Sequence, residues 1–312
     1  MKASKWIVLT TTALAFAACN NDENLTNDGP VAAQIRAEIG NAVSTRATKT
    51  SFVNGNEIGV SVVSVENDGK TTGTNVKYTY NNGSFSTGAP IYFQDTEEVT
   101  FRAYYPFTGT SGTTVGTVEG NTRDQTQYQT FDYLFAVGAK ASKTNPTVNF
   151  NSDDTNFKHC MSQITIQFKN GNDTQVSNLT GYTLSSFVMT GTFDTENGTA
   201  KVDEISTQAS EVTKEDLIID LSGETITGEE YSNSVILFPQ PVERGVFTLT
   251  LTLEGEKYSA KLTLPNSKTT LESGNNYIFP VKINKTGLEV GEATIAGWTE
   301  STATEGTAEM TE

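Results

Sequence analysis

From Phe52 onward the apolar residues of this chain recur at every second position, and no stretch sustains the 3.6-residue apolar period of a long amphipathic helix. A period of two puts successive side chains on opposite faces, so the pattern admits strands and little else. Ile58, Val60 and Val62 alternate with Gly59, Ser61 and Val63. Val76, Tyr78 and Tyr80 alternate with Lys77 and Thr79, and Val99, Phe101, Ala103 and Tyr105 with Thr100, Arg102 and Tyr104. Each run predicts a half-buried strand. In the second half Ile164, Ile166 and Phe168 share one face, and Thr165, Gln167 and Lys169 the other. Phe247, Leu249, Leu251 and Leu253 lead through Glu254-Gly255-Glu256-Lys257 into Tyr258, Ala260, Leu262 and Leu264, the clearest hairpin signal in the chain. Both arms bury one face only, which predicts an all-β fold of antiparallel sheets stacked as sandwiches rather than a parallel sheet. A closed membrane barrel is disfavoured, because the strands lack evenly spaced aromatic girdles.

The first residues carry a different signal. Met1, Lys2 and Lys5 precede an apolar run from Trp6 to Ala18, interrupted at Thr10 to Thr12, which reads as an export signal too short to stay in a bilayer as a spanning helix. Small residues ahead of Cys19 suit a peptidase that cuts before a lipidated thiol, and Phe16-Ala17-Ala18-Cys19 resembles a bacterial lipobox, with Phe16 where an aliphatic residue is usual. Residues 1–18 are therefore expected to be a lipoprotein signal peptide and Cys19 the anchor, its two or three acyl chains (palmitate among them) supplying the multiple-chain signal that stable anchoring needs. The competing reading is a plain secretory signal cut at Ala18, with Cys19 an ordinary thiol. Asn20-Asn21-Asp22-Glu23-Asn24 resembles the acidic tract that sends some Bacteroidia-type lipoproteins to the outer face of the outer membrane.

With Cys19 acylated, Cys160 is the single thiol left, so no internal disulfide is expected and stability must come from packing. At 312 residues the chain has the length of two domains, each large enough for its own core. A formal charge of −16 excludes nucleic acid as a partner and electrostatic docking on anionic lipid. The Ser/Asn/Asp cluster from Asn151 to Asn156 separates the two strand sets, which places the sandwiches at 47–150 and 151–285. Upstream of both, Val31, Ala33, Ile35, Ala37 and Ile39 alternate with Ala32, Gln34, Arg36, Glu38 and Gly40, followed by a polar linker, Ser44-Thr45-Arg46-Ala47-Thr48. Downstream, 286–312 holds six glutamates and no lysine or arginine.

Several local patterns then coincide with one family. Ser44-Thr45-Arg46-Ala47, Ser51-Phe52 and Gly55-Asn56-Glu57-Ile58-Gly59-Val60 resemble the arginine linker and first mature strand of the fimbrillins of Bacteroidia-type fimbriae. Ile91-Tyr92-Phe93 and Val99 to Pro106 resemble that family's middle sheet. Asp132-Tyr133-Leu134, Phe157 to Ile164 and Leu237-Phe238-Pro239-Gln240 resemble its second domain, and Ser273 to Tyr277, Val281-Lys282-Ile283 and Ile295-Ala296-Gly297-Trp298 its final strands.

The resemblance implies two tandem transthyretin-like antiparallel β-sandwich domains. It also implies assembly by strand exchange. A lipidated N-terminal strand completes the first domain until a trypsin-like protease cuts after an arginine, and a strand from a neighbouring subunit, self or related, takes its place. Here the cut falls between Arg46 and Ala47. Residues 19–46 are then a propeptide whose removable strand is Val31, Ala33, Ile35, Ala37 and Ile39, an assignment that the alternation supports independently. The candidate donor lies in 286–312, where Leu288 and Val290 sit two apart, as do Ala293 and Ile295, with Gly291 breaking the phase. The expected role is a structural subunit of surface fimbriae at the outer membrane, supporting adhesion. The alternative is a monomeric surface lipoprotein or fibre-tip adhesin that binds glycan or host protein.

No enzyme signature competes with this. His159 and Cys160 fall on opposite faces of a strand, which argues against a thiol–imidazole pair and for a hydrogen-bonded histidine. No nucleophile elbow, phosphate loop, HExxH or paired-cysteine spacing occurs, so no cofactor and no metal is expected. Carboxylates at Glu66 to Gly69 and Asp194 to Gly198 suit turns. Asn151 to Asn156 and Asn170 to Asp173 lack a recognised calcium spacing. Tyr104, Tyr105, Phe107 and Trp298 are either a sugar-stacking face or core, and the face Tyr105 shares with Val99, Phe101 and Ala103 favours core.

Overall fold

The structure, a computed structural model, describes residues 29–40, 51–63, 70–171, 174–203 and 213–298. Within them it is all-β, with helical geometry confined to short 3-10 turns.

Strands β1 (Val31–Ala32) and β2 (Gln34–Ala37) come before the linker. After it follow β3 (Glu57–Val62), β4 (Val76–Asn81), β5 (Ser84–Ser86), β6 (Tyr92–Phe93), β7 (Val99–Tyr105), β8 (Thr117–Asn121), β9 (Leu134–Ala141), β10 (Thr147–Phe150) and β11 (Lys158–His159). Six of these form one antiparallel sheet in the order β11-β9-β7-β3-β4-β5. Facing it is a layer of short pieces, β6 paired with β1 and β10 paired with β2. Ile58, Val60, Val99, Phe101, Phe93, Val148 and Phe150 fill the space between, each fully buried. The expected half-burial of β3 needs correction. Gly59 and Ser61, on its outer face, are buried too, because Tyr104 lies opposite Gly59 and donates its hydroxyl to Asn75 Oδ1 at 2.8 Å.

The second half contains β12 (Ser162–Asn170), β13 (Gly181–Phe187), β14 (Thr190–Asp194), β15 (Thr199–Val202), β16 (Glu215–Asp220) and β17 (Glu230–Leu237). Beyond these lie β18 (Gln240–Pro241), β19 (Val246–Leu253), β20 (Glu256–Thr263), β21 (Thr270–Leu271), β22 (Asn275–Asn284), β23 (Gly287–Val290) and β24 (Thr294–Gly297). One sheet runs β17-β12-β22-β23, with β24 on the same edge of β22 as β23; the other runs β16-β13-β19-β20. Their facing residues include Ile164, Ile166, Phe168, Leu184, Leu249, Phe279 and Val281, all buried. The expected hairpin is β19–β20, turning on Glu254 and Gly255 at φ 53° and 89°. That left-handed pair matches the twist of the flanking strands.

Two features depart from the sequence-based expectation. Not all pairs are antiparallel: β12–β22 and β2–β10 run parallel. Each parallel pair joins strands far apart in the chain, a pairing that local alternation does not encode. Nor are the two cores separate. β8 of the first half pairs with β14 of the second, making the three-stranded sheet β15-β14-β8. Gly120 and Gly191 stand opposite each other there, and a Cβ on either would collide with Phe238. Their bareness lets Phe238 lie against the sheet, beside Tyr133 stacked on Phe193 at 4.5 Å. With Tyr104, Phe131, Cys160, Met161, Ile236 and Trp298 these form a third core drawn from both halves. The first core also extends past 150 to Phe157, which is fully buried in it.

Candidate functional site

The segment anticipated as a removable strand lies in the middle of the first half's short layer. Ala33, Ile35 and Ile39 are buried at 5%, 3% and 4% exposure, Val31 and Ala37 are half-buried, and Gln34, Arg36 and Glu38 face outward. The period-two reading therefore holds in three dimensions. The two halves of the segment bond to different partners, one on each side. On one side Val31 and Ala32 pair with Phe93 and Tyr92, and Ala33 N–H donates to Ile91 O at 2.8 Å. On the other, Gln34 to Ala37 run parallel to Thr147 to Phe150, with Gln34 N–H on Pro146 O at 2.9 Å and Glu38 N–H on Phe150 O at 3.1 Å. Beyond β2, Phe157 donates to Glu38 O at 3.1 Å and accepts from Gly40 N–H at 3.0 Å. Beside the segment an open groove of about 620 Å³ separates β2 from β5, with Arg36, Glu38, Tyr80, Ser84 and Phe85 among its walls.

This arrangement makes the segment the joint between β6 and β10. Without it those two- and four-residue strands would have no layer to belong to, and buried backbone groups must be paired. Of the two partner strands, β6 falls within the Ile91-Tyr92-Phe93 pattern, and β10 was the part that sequence reasoning missed. Thr147–Phe150 carries only one short alternation, Val148 and Phe150 against Thr147 and Asn149, which is too little to mark a strand by itself.

Cys19, Arg46 and Ala47 lie outside the described residues. The candidate donor residues do not. Leu288 and Val290 sit in β23 and Ile295 in β24, and with Ala293 they are packed, half-buried, against the second core. β23 and β24 are one edge strand interrupted by a bulge: Val290 opposes Val281, Thr294 opposes Ile278, and Gly291 N–H donates to Pro280 O at 2.9 Å. Gly291 thus breaks the phase as its position in the sequence suggested. The four residues already serve as the edge of their own sandwich.

At the junction of the halves, His159 Nδ1 and Asp132 Oδ1 are 2.7 Å apart, both side chains fully buried, with Nδ1–H donating to the carboxylate. The imidazole lies flat against Trp298, centroids 4.1 Å apart and planes 3° apart. Burial, with the nearby Asp132 charge, pushes the Cys160 thiol up from its ordinary range, so it stays protonated and unreactive. His159 is the hydrogen-bonded histidine expected, and no thiol–imidazole contact forms among the described residues. Tyr104, Tyr105 and Trp298 are buried and Phe107 half-buried, which makes the first three core rather than a sugar platform. Among the described residues no group of three or more His, Cys, Asp or Glu side chains is placed to hold a metal ion.

Stacked sheets, an N-terminal strand seated between two others and a shared core define a structural β-sandwich protein. The profile of the fimbrillin-like family matches residues 45–298, and the chain belongs to that family, one of structural and adhesion proteins rather than enzymes. A candidate cell adhesion protein from Bacteroides ovatus, 25% identical, superposes with a TM-score of 0.67 over 86% of this chain and 98% of its own. A second such protein, from Bacteroides uniformis and 23% identical, shares the fold at a TM-score of 0.63 over 87% and 100%. No curated protein matches the chain.

Proposed function

We propose that this chain is a building block of surface fimbriae, exported with a signal peptide (1–18), anchored by a lipid on Cys19 at the outer membrane, and assembled by strand exchange after a trypsin-like protease cuts between Arg46 and Ala47. The division into sandwiches at 47–150 and 151–285 belongs to the same proposal, with the first boundary moved to the far side of Phe157. Membership of the fimbrillin-like family supports a fimbrial role and a surface location. The observation that carries the mechanism is the seat of residues 31–40: buried on one face, bonded first to β6 and then to β10, and joined to the rest of the protein through an arginine-bearing polar linker.

The physics is β-augmentation. Each backbone bond contributes on the order of 1 kcal/mol net and each buried isoleucine about 2 kcal/mol, so a vacated seat is a strong acceptor for a strand of the same alternation. A neighbour that supplies such a strand restores every lost contact, and no external energy is needed. The candidate donor is the C-terminal region 286–312 of another copy or a related subunit. Because Leu288, Val290, Ala293 and Ile295 are docked on β22, donation by them requires that edge to detach first.

The test is the N-terminal residue of the protein recovered from sheared cell surfaces. Ala47 is expected. A lipidated Cys19 on every recovered molecule would overturn stalk assembly and leave the alternative, a monomeric surface lipoprotein or tip adhesin. That second reading draws on one observation, that the described chain already seats the segment against β6 and β10 without a partner.

A further inference from the structure

The N-terminal segment and the C-terminal strand meet at one place. Phe157 exchanges backbone hydrogen bonds with Glu38 and Gly40, the last two polar contacts of the segment. Two residues on, His159 stacks on Trp298, which follows directly after β24. β11, the strand that carries His159, is short: it pairs Lys158 with Phe135 and His159 with Leu134, continues in Cys160 N–H on Tyr133 O at 2.8 Å, and is steadied by the His159–Asp132 bond. Trp298 is in turn tied through its backbone N–H to Gly274 O at 2.7 Å, and Gly274 N–H to Met161 O at 2.8 Å. A cavity of about 650 Å³ has Gly40, His159, Gly274 and Trp298 in its walls.

Three atoms around this stack are left wanting. Asp132 Oδ2, His159 Nε2 and Trp298 Nε1 are buried with no hydrogen-bond partner among the described residues. A buried polar group in that state is costly, and exposure to water removes the penalty. The closed arrangement is therefore held against a built-in tendency to open.

We infer that the His159–Trp298 stack is a latch that keeps β24 on β22 while residues 38–40 are seated, so that departure of the N-terminal segment frees the C-terminal strand of the same subunit. This rests on the strand-exchange reading above. When the segment leaves, Phe157 loses both of its backbone partners on that side, and the cavity loses the wall that Gly40 provides. Water then reaches the two unpaired nitrogens, and the short β11 no longer holds the imidazole against Trp298. β24 pairs with β22 over four residues only and is cut off from β23 by the bulge at Gly291, so it can leave without unravelling β23. Coupling of this kind needs β24 to have two positions, docked on β22 and free. A subunit would then present the β24 part of its donor edge, Ile295 included, only after its own acceptor seat has been vacated, and unprocessed chains would not polymerise.

Trp6 and Trp298 are the two tryptophans, so Trp6→Phe in the full chain leaves Trp298 as the reporter. A sequence-specific protease site replacing residues 44–48 allows the segment to be released on demand, with loss of the segment followed by mass. Amide exchange across Thr294 to Gly297 is expected to rise about tenfold or more, the factor that about 1.4 kcal/mol represents. Quenching of Trp298 by acrylamide should rise with it, and exchange in β19 should stay constant. Ile35→Asp in the uncut chain, which ejects β2, should loosen the same residues. Released or ejected segments with unchanged protection of Thr294 to Gly297 would overturn the latch. Failure of strand exchange shows separately, as cut chains that loosen at β24 yet remain monomeric on sizing.

Discussion

The two sandwiches solve the same problem with unequal means. The second sets two well-formed four-strand sheets face to face, all drawn from residues 162–290, with β24 continuing the edge that β23 begins on β22. The first opposes a six-stranded sheet with a layer whose own pieces are two and four residues long, and it becomes a layer only when residues 31–37 join them. Burial of apolar surface drives both. The difference is that one sandwich closes with neighbouring chain and the other with a segment drawn from upstream of its first long strand.

The largest expected effect tests that asymmetry. Ile35→Asp places an unpaired charge in the first core and is expected to lower stability by on the order of 4 kcal/mol, whereas Leu288→Asp, on the half-buried edge of the second sandwich, is expected to lower it by about 1 kcal/mol. Urea unfolding followed by circular dichroism measures both. Equal losses would break the comparison.

The third core decides whether the halves unfold together. Gln240, only 2% exposed, accepts from Val188 N–H at 2.8 Å and donates to Val188 O at 3.0 Å, tying β18 to the end of β13. Gln240→Ala leaves those groups unpaired and is expected to destabilise by about 2 kcal/mol. If the shared core couples the halves, far-ultraviolet and Trp298 signals shift together. Two separated transitions would show that the sandwiches are independent after all.

Alkali should attack the same core. Burial raises the Cys160 thiol and pushes the Tyr133 hydroxyl up to about 12. Both groups therefore ionise more readily in the unfolded chain. For a folded pKa above the unfolded one, the stabilisation is complete below the unfolded value and is lost as pH rises through the interval. Stability is expected to fall above the ordinary thiol pKa of about 8.5, and again above about 10 for the tyrosine, by roughly 1.4 kcal/mol per pH unit for each group. Thermal melts from neutral to alkaline pH, with Cys160→Ser as the comparison, measure it; an unchanged slope in that variant would remove the thiol from the account.

The smallest effect lies on the surface between the halves. Arg123 bonds Glu215 through Nη2 at 2.6 Å and Nε at 3.2 Å, and the bridge is solvent-exposed. Arg123→Ala is expected to cost about 0.5 kcal/mol, vanishing in high salt. A salt-independent loss would point to packing by the arginine stem instead.

Much of this was legible beforehand. The alternation of Val99 to Tyr105, the β19–β20 hairpin, and the buried face of residues 31–39 are local patterns, and each strand shows in three dimensions the face its period assigns. His159 reads as a hydrogen-bonded residue because its neighbour Cys160 falls on the opposite face of a strand. The partners were not legible: that Asp132 would meet His159, that Thr147–Phe150 would flank β2, or that Leu288 and Ile295 would be an occupied edge. Nor was the shared sheet, because Gly120 and Gly191 have no period that announces them.

What the chain's own order of residues determined was which side of each strand is apolar, since that depends on spacing along one stretch and on the pleat alone. Which strands lie side by side was settled only in the folded protein. Pairing between distant segments is chosen by the core they jointly exclude from water, and that core includes the segment at residues 31–40 and the stack of His159 on Trp298, two features that no single stretch contains.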